Sequence, residues 1–390
     1  MPGSNEPKRG ELLPFARPDI TEAEVEAVAG VLRSGWLTTG PRVKEFEEAF
    51  ARVVGARHAV ALASGTAALH AAYTALGLSP GEQVITTPMT FAATVNMIEA
   101  VGAQPLFADI DPTTLNISPA AVESVLTERT AAIVPVDFAG LPCDVTAIRS
   151  IAAHYNLPIV EDAAHALGAS WQGRPVGSLA DITIFSFHPT KNITTGEGGM
   201  LTTDAEDWAG RARTFRFHGI TRLSEDPAGL LPYDLRHPGY KYNMTDLEAA
   251  IGLVQLGRLE EMNRRRRELA ELYLEQLRDV EELLLPAQPP QGVTHAWHLF
   301  VVRLRPERVT IDRNTFRSQL RALNIDTGIH YPAVHELTYY REKYGLRPED
   351  FPEACRAGRS VVSLPLFPAM TDEDVADVVR AIKHVLSRGR

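Results

Sequence analysis

Ala59-Val-Ala-Leu-Ala-Ser-Gly-Thr-Ala-Ala-Leu69 changes character at Ser64-Gly65. Before that pair the run is apolar and strand-like; after it, Gly65 to Leu76 reads as an alanine-rich helix. The same rhythm continues downstream. Gln83 to Thr87, Pro105 to Ala108, Thr130 to Val136 and Pro158 to Glu161 read as strands. Phe91 to Val101, Pro119 to Leu126 and Val145 to Tyr155 read as the helices between them. Strands alternating with helices build parallel βαβ units with both sheet faces covered. Ile182 to Phe187 and Met200 to Thr203 add two more strands, so a large α/β domain is expected.

Upstream, Thr21-Glu-Ala-Glu24 has the form of a capping box and opens a helix to about Ser34. Gly35-Trp-Leu-Thr-Thr-Gly-Pro41 breaks it, and an amphipathic helix follows from about Arg42 to Val54. After Tyr240 the rhythm changes. Thr245 to about Leu283 reads as a long helix, broken near Met262, with Arg264 to Arg267 on a solvated stretch. A Pro-rich linker (Leu285 to Pro290), a strand (His298 to Leu304), a helix (Thr315 to Leu323) and a final helix (Thr371 to Leu386) complete the chain. The expected division is a flexible tail at 1–12, a large α/β domain at 13–262 and a smaller α+β domain at 263–390.

With 390 residues, 45% hydrophobic and 23% charged, the chain has ample core for two domains. A formal charge of −10 leaves no basic excess to displace counterions, which argues against nonspecific nucleic-acid binding. Cys143 and Cys355 are too few and too far apart for a disulfide framework or a zinc site, so no metal is expected and a reducing cytoplasm fits. No apolar run has the length of a membrane span, and membrane insertion is not expected.

Basic residues are mostly arginine. Only six of thirty-nine are lysine, and one of them, Lys191, lies in Ile184-Phe-Ser-Phe-His-Pro-Thr-Lys-Asn-Ile-Thr-Thr-Gly-Glu-Gly-Gly199, between a strand and a glycine cluster. An arginine could serve any need for positive charge. An amine that must lose its proton and attack a carbonyl cannot be replaced that way. Lys191 is therefore read as a Schiff-base lysine, against the plainer reading of a solvated loop residue.

In parallel α/β sheets ligands bind beyond the carboxyl ends of the strands. Ser64-Gly65-Thr66-Ala67 there offers helix N–H groups and a hydroxyl to a phosphate. Asp162 closes a strand, where a carboxylate could hold a pyridine nitrogen protonated. Ser186 offers a second hydroxyl at its own strand end, and Phe91 could stack on a planar ring. Each of these alone is as readily a cap, a surface acid or a core residue. Jointly they match the needs of pyridoxal 5'-phosphate. No G-x-G-x-x-G or Walker A pattern supports a dinucleotide or NTP site.

From about Pro14 to Leu386 the chain resembles the fold-type-I aminotransferases of the DegT/DnrJ/EryC1/StrS family, which act on nucleotide-linked keto-sugars. The stretches that carry the resemblance are Gly35 to Pro41, Ser64 to Leu69, Glu161-Asp-Ala-Ala-His165, Phe185-Ser-Phe-His188, Lys191 to Thr194 and Glu197-Gly-Gly199. The resemblance implies a mostly parallel central sheet flanked by helices, with Lys191 holding the cofactor and Asp162 facing its ring nitrogen. Gly65, Thr66, Ala67 and Ser186 would bind its phosphate, Phe91 would stack on its ring and His165 would adjoin it. Asn243 would reach the phosphate from the neighbouring subunit, so that the active site is shared across a homodimer. Thr38, His188, Lys241 and His330 are implied substrate contacts. Glu161 to His165 and His295-Ala-Trp-His-Leu-Phe300 are most similar to the branch that makes UDP-4-amino-4-deoxy-L-arabinose, with L-glutamate as donor and 2-oxoglutarate as by-product. Phe91 stands where that branch has Trp, and Tyr331-Pro332 where it has Phe-Arg, which leaves amination of another UDP- or dTDP-keto-hexose as the rival reading. Dehydratases of the family carry His in place of the lysine, and Lys191 argues against that chemistry. A PLP-binding regulator without turnover would keep its cofactor absorbance in glutamate, and a plain ligand-binding domain would show no chromophore.

Overall fold

The computed structural model describes residues 7–221, 233–235 and 237–388. Seven strands carry the large domain: β1 (His58–Leu62), β2 (Gln83–Thr86), β3 (Gln104–Phe107), β4 (Thr130–Val134), β5 (Val160–Asp162), β6 (Ile182–Ser186) and β7 (Gly199–Thr203). They lie in the order β3-β2-β4-β5-β6-β7-β1, with β4 and β5 joined through parallel bridges from Ile133 to Ile159 and from Val136 to Asp162. Pairing is parallel from β3 to β6. β7 runs antiparallel to both its neighbours, with Ser186 opposite Gly199 and Gly199 opposite Leu62. The sheet is therefore mostly parallel, with this one strand reversed. Residues 187–198 form no helix and close on themselves, the Phe187 N–H bonding the Gly198 carbonyl at 2.9 Å, so the chain returns beside β6.

Helix α1 (Glu22–Ser34) starts on the capping box, the Thr21 N–H donating to the Glu24 carboxylate at 2.8 Å, and stops at Gly35 with φ 72°. Helix α2 (Pro41–Val54) buries Phe46 and Phe50. Phe50 meets Phe185 of β6 edge-on at 5.1 Å and Phe187 at 5.6 Å. Each such fully buried ring contributes about 1.5–3 kcal/mol of transfer free energy. These rings fix the end of β6 from below. Helix α3 (Gly65–Leu76) and helix α4 (Ala92–Ala100) start at the carboxyl ends of β1 and β2, and both aim their N-termini at one side of the sheet.

The long helix expected from Thr245 is two: α5 (Asp246–Gly257) and α6 (Leu259–Leu277). The break falls at Arg258 rather than near Met262, because its guanidinium is drawn to Asp19 (2.5 Å) and Glu24 (3.3 Å) on the opposing segment. Helix α6 runs through residues 262 and 263 without interruption. Strands β8 (Leu283–Leu284), β9 (Phe300–Leu304) and β10 (Val361–Leu364) form an antiparallel sheet. Helices α6, α7 (Arg313–Ala322) and α8 (Asp372–Arg388) share its core through Tyr273, Phe316 and Val378.

Two expectations need correcting here. Arg266 is buried, not solvated, and its guanidinium donates to the carbonyls of Leu366 (2.8 Å) and His298 (3.3 Å); burial lowers its pKa to about 10. Arg264 and Arg267 do face solvent. Residues 1–6 of the expected flexible tail lie outside the described residues, but Arg9 is tied down. Its carbonyl accepts from the Asn324 amide at 2.8 Å, and its guanidinium pairs with Asp374 at 2.7 Å and with Asp377. No helix among the described residues is long and apolar enough to cross a membrane.

Candidate active site

A cleft of about 560 Å³ opens beyond the ends of β5 and β6. Asp162, Ser186, Lys191 and the first turn of α3 line its floor; Phe15, Phe91, His330 and Tyr331 line its walls. Lys191 sits in the closed connection between β6 and β7. Its N–H donates to the His188 carbonyl (2.8 Å), and the next residue, Asn192, uses its amide to reach Asn263 (2.7 Å) and the Ala296 carbonyl (2.8 Å). The loop is therefore anchored on α6. Protein packs around the amine although part of the side chain stays open to the cleft, and this burial lowers its pKa to about 8 against the opposing pull of Asp162.

Asp162 is 5% exposed and held by two donors, the Thr94 hydroxyl at 2.7 Å and the Ala164 N–H at 3.2 Å. Burial pushes its pKa up, while Thr94, Ala164 and Lys191 pull it back. Successive residues on a strand face opposite ways, so Glu161 leaves the cleft for the far side of the sheet. There it accepts from the Thr183 hydroxyl at 2.9 Å, and burial raises it to about 7. Asp137, also fully buried, is pushed well above its ordinary range by burial and by Glu161.

At the start of α3 the Ser64 hydroxyl accepts the Ala67 N–H at 3.0 Å. Ala67 is thereby already paired and does not line the cleft, whereas Gly65 and Thr66 do. Backbones crowd here: a Cβ on Gly199 would come within 2.3 Å of the Ser64 carbonyl oxygen, and one on Gly65 within 3.0 Å of the Ser186 Cβ. The glycine cluster thus brings β7, α3 and Ser186 together.

His165 is buried, accepts the Ala139 N–H on Nδ1 at 3.3 Å and lies 3.0 Å from the Tyr331 hydroxyl through Nε2. Burial, then the nearby Lys191 and His330, hold it well below its usual range, so it is neutral with the proton on Nε2. His330 bonds the Ser363 hydroxyl at 2.8 Å and stacks on Phe15 at 5.2 Å; burial lowers its pKa to about 3. Phe91 is 60% exposed, tilted against Tyr331 at 5.7 Å. His188 lines the mouth and bonds the Thr190 hydroxyl at 3.0 Å.

Thr38, Lys241 and Asn243 are not among the lining residues. Asn243 donates to the Thr39 hydroxyl (2.6 Å) and accepts from the Lys241 ammonium (2.5 Å) in a separate, half-buried group. Thr94 and Phe15 are cleft residues for which the sequence reading offered no role, and Tyr331, read there only as bearing on the sugar, also lines the cleft. Thr94 carried a usable signal, since it lies three residues after Phe91, one helical turn along α4.

The chain matches the DegT/DnrJ/EryC1/StrS aminotransferase family over residues 18–383. It belongs to that family. Among curated relatives, the spore coat polysaccharide biosynthesis protein SpsC of Bacillus subtilis is 44% identical over 383 residues, covering 97% of this chain and 98% of that one. Among solved structures, the PMP form of Spr1654 from Streptococcus pneumoniae superposes with a TM-score of 0.91 at 34% identity, covering 96% of this chain and 99% of that one. PseC of Helicobacter pylori, an aminotransferase involved in pseudoaminic acid biosynthesis, gives a TM-score of 0.91 at 28% identity, covering 97% and 100%.

The family member described here is a pyridoxal-phosphate-dependent aminotransferase of fold type I. Its cleft fits that cofactor on its own chemistry. One amine with a lowered pKa, one buried carboxylate with spare hydrogen-bond capacity and a helix N-terminus at a crowded glycine turn stand on one floor.

Proposed function

We propose that the protein transfers an amino group from L-glutamate to the C4-keto group of a UDP-linked pentose, of the 4-amino-4-deoxy-L-arabinose type. The observation that carries the transfer chemistry is the pairing of Lys191 and Asp162 across one floor, with opposite electrostatic demands. Burial keeps the amine near neutrality at about pH 8 and so able to attack a carbonyl and move protons. Asp162, opposite, has donors that favour its ionised form, as a partner for a protonated ring nitrogen. Bound between them, pyridoxal phosphate supplies the electron sink for the pair left behind when a proton leaves carbon.

Lys191 Nζ would hold the cofactor and, once free, would take a proton from the donor's α-carbon. Gly65, Thr66 and Ser186 would hold the cofactor's phosphate. In the second half the same amine would deliver a proton to the sugar's C4. The walls exclude water with aromatic faces, and His188 and His330 offer polar atoms to the sugar. Asn243 and Lys241, which lie outside this chain's own cleft, serve the site of a second copy in a homodimer.

A second reading, a 4-keto-hexose as acceptor, is favoured by Tyr331 in the wall, where the pentose branch has Phe. A panel of 4-keto nucleotide sugars, offered to the protein in its aminated-cofactor form, separates the two. The rate at which the aldehyde form's absorbance returns should be highest with the UDP-linked pentose. Preference for a hexose overturns the pentose, and no return with any of them overturns the sugar.

A further inference from the structure

Behind the cleft wall, away from the cofactor floor, three side chains of different chemistry converge. His335 and Glu336 lie on the single 3₁₀ turn Val334–Glu336, and Cys355 lies in the first turn of the helix Pro352–Ser360. Their ligand atoms all fall within 4.8 Å of one another. We propose that His335, Glu336 and Cys355 form a site for one divalent transition-metal ion of zinc's class.

Three observations carry it. First, His335 is 1% exposed, and neither of its ring nitrogens has a hydrogen-bond partner. A buried imidazole with both nitrogens unsatisfied is costly, and ligation of one nitrogen removes much of that cost. Second, the donor set is one nitrogen, one sulfur and one oxygen. This mixture suits a borderline-soft ion and is wrong for calcium or magnesium, which take oxygen alone. Third, a neighbouring side chain orients one of the ligands. Arg359 donates to one oxygen of Glu336 from Nε (3.1 Å) and Nη2 (2.5 Å), and the Cys355 thiol hydrogen-bonds the same carboxylate, a proton that the ion would replace.

The Cys355 thiol is buried and reduced. On binding, its S–H bond breaks, a sulfur–metal bond forms and the proton passes to solvent. Neighbouring ligands of a tetrahedral ion lie about 3.3–3.8 Å apart, so atoms that now lie within 4.8 Å of one another close by up to about 1 Å. A water completes the coordination.

The ion would clamp the turn Val334–Glu336 to the helix Pro352–Ser360. Those two segments already approach closely: a Cβ on Gly358 would stand 2.7 Å from the Ala333 nitrogen. The Val334 N–H also bonds the Pro88 carbonyl at 2.8 Å, three residues before Phe91. Tyr331 and His330 lie immediately upstream. The site is structural and steadies the wall, in contrast to the sequence-based expectation that no metal is bound.

The test is zinc binding to the holoenzyme, measured by competition with a chromophoric chelator. One ion per chain should bind, and both Cys355→Ser and His335→Gln should weaken it by at least about 100-fold, the upper end of the loss from an outer partner. Cys143→Ser should leave it unchanged. Equal affinity in the wild type and the two ligand variants overturns the site. Because those variants could misfold, zinc-soaked crystals of the wild type give an independent reading. An anomalous peak beside Cys355 Sγ is expected, and its absence in crystals that show zinc elsewhere also overturns the proposal.

Discussion

The floor and the wall of the cleft are built in opposite ways. Floor residues come from strand ends and a helix start, each held by the backbone of the element that presents it. Asp162 is 5% exposed and fixed by two donors, and Lys191 rides on a loop anchored at both ends. The wall comes from segments as far apart as Phe15, Phe91 and Tyr331, and its most open member, Phe91, is 60% exposed. A floor built by topology is preorganised for one reaction, whereas a wall assembled by packing can change its acceptor without disturbing that reaction. Substitutions on the floor should therefore act on both half-reactions, and substitutions in the wall on sugar binding and stability.

The largest effect is expected at Lys191. Lys191→Ala should slow the glutamate half-reaction, followed by bleaching of the cofactor's absorbance, by about 10⁴-fold or more, the ceiling for one acid–base group. In the wild type, capture of added pyridoxal phosphate by the apo-protein should rise about tenfold per pH unit and level off above about pH 8, since only the neutral amine attacks. A plateau displaced to pH 10 would show an amine that burial does not perturb.

Thr94 tests the floor one layer down. Thr94→Val keeps the shape but removes a hydrogen bond to a buried carboxylate, an interaction worth about 1.5–3 kcal/mol. The Asp162 pKa then moves further up, its ionised form is disfavoured, and the glutamate half-reaction should slow by about 10- to 100-fold. An unchanged rate would detach Asp162 from the chemistry.

This floor was largely legible in the sequence because its residues follow local rules. A strand run ending in Ser-Gly-Thr predicts a helix start, and a lone lysine before a glycine cluster predicts a special loop. The antiparallel turn of β7 was not legible, since four apolar and hydroxyl residues read the same in either direction. Arg266 was hidden for a different reason. Four consecutive arginines look solvated, and only the approach of the segments at His298 and Leu366 shows which one is buried. The bond between Tyr331 and His165 was invisible because the two residues lie 166 positions apart. The cap that the Ser64 hydroxyl places on the Ala67 N–H was open to reading from the Ser-Gly helix start.

Asn243 belongs to neither region of its own chain, which sharpens the comparison by adding a third source of site residues. If a second copy completes the cleft, Asn243→Ala should weaken pyridoxal phosphate binding by about tenfold, the cost of one net hydrogen bond of about 1.5 kcal/mol. Fluorescence titration of the apo-protein measures it. Unchanged affinity would confine Asn243 to its local bonds with Thr39 and Lys241.

The smallest effect lies in the wall, at His330. Burial, with Lys191 and Arg317 nearby, holds its folded-state pKa at about 3, whereas the unfolded chain has its ordinary value of about 6.5. Between those values the unfolded chain binds a proton that the folded protein does not, so stability falls as the solution becomes more acidic. From pH 7 to pH 6 this one group should remove on the order of half a kcal/mol. His165 and His298 are depressed in the same direction, so the wild type's total loss will be larger. His330→Asn isolates the single contribution: the change in urea-denaturation free energy between the two pH values should shrink by that half kcal/mol, while the glutamate half-reaction stays within about threefold of wild type. A large loss in that half-reaction would show that His330 serves the floor, and the division between a catalytic floor and a packing wall would then fail at this residue.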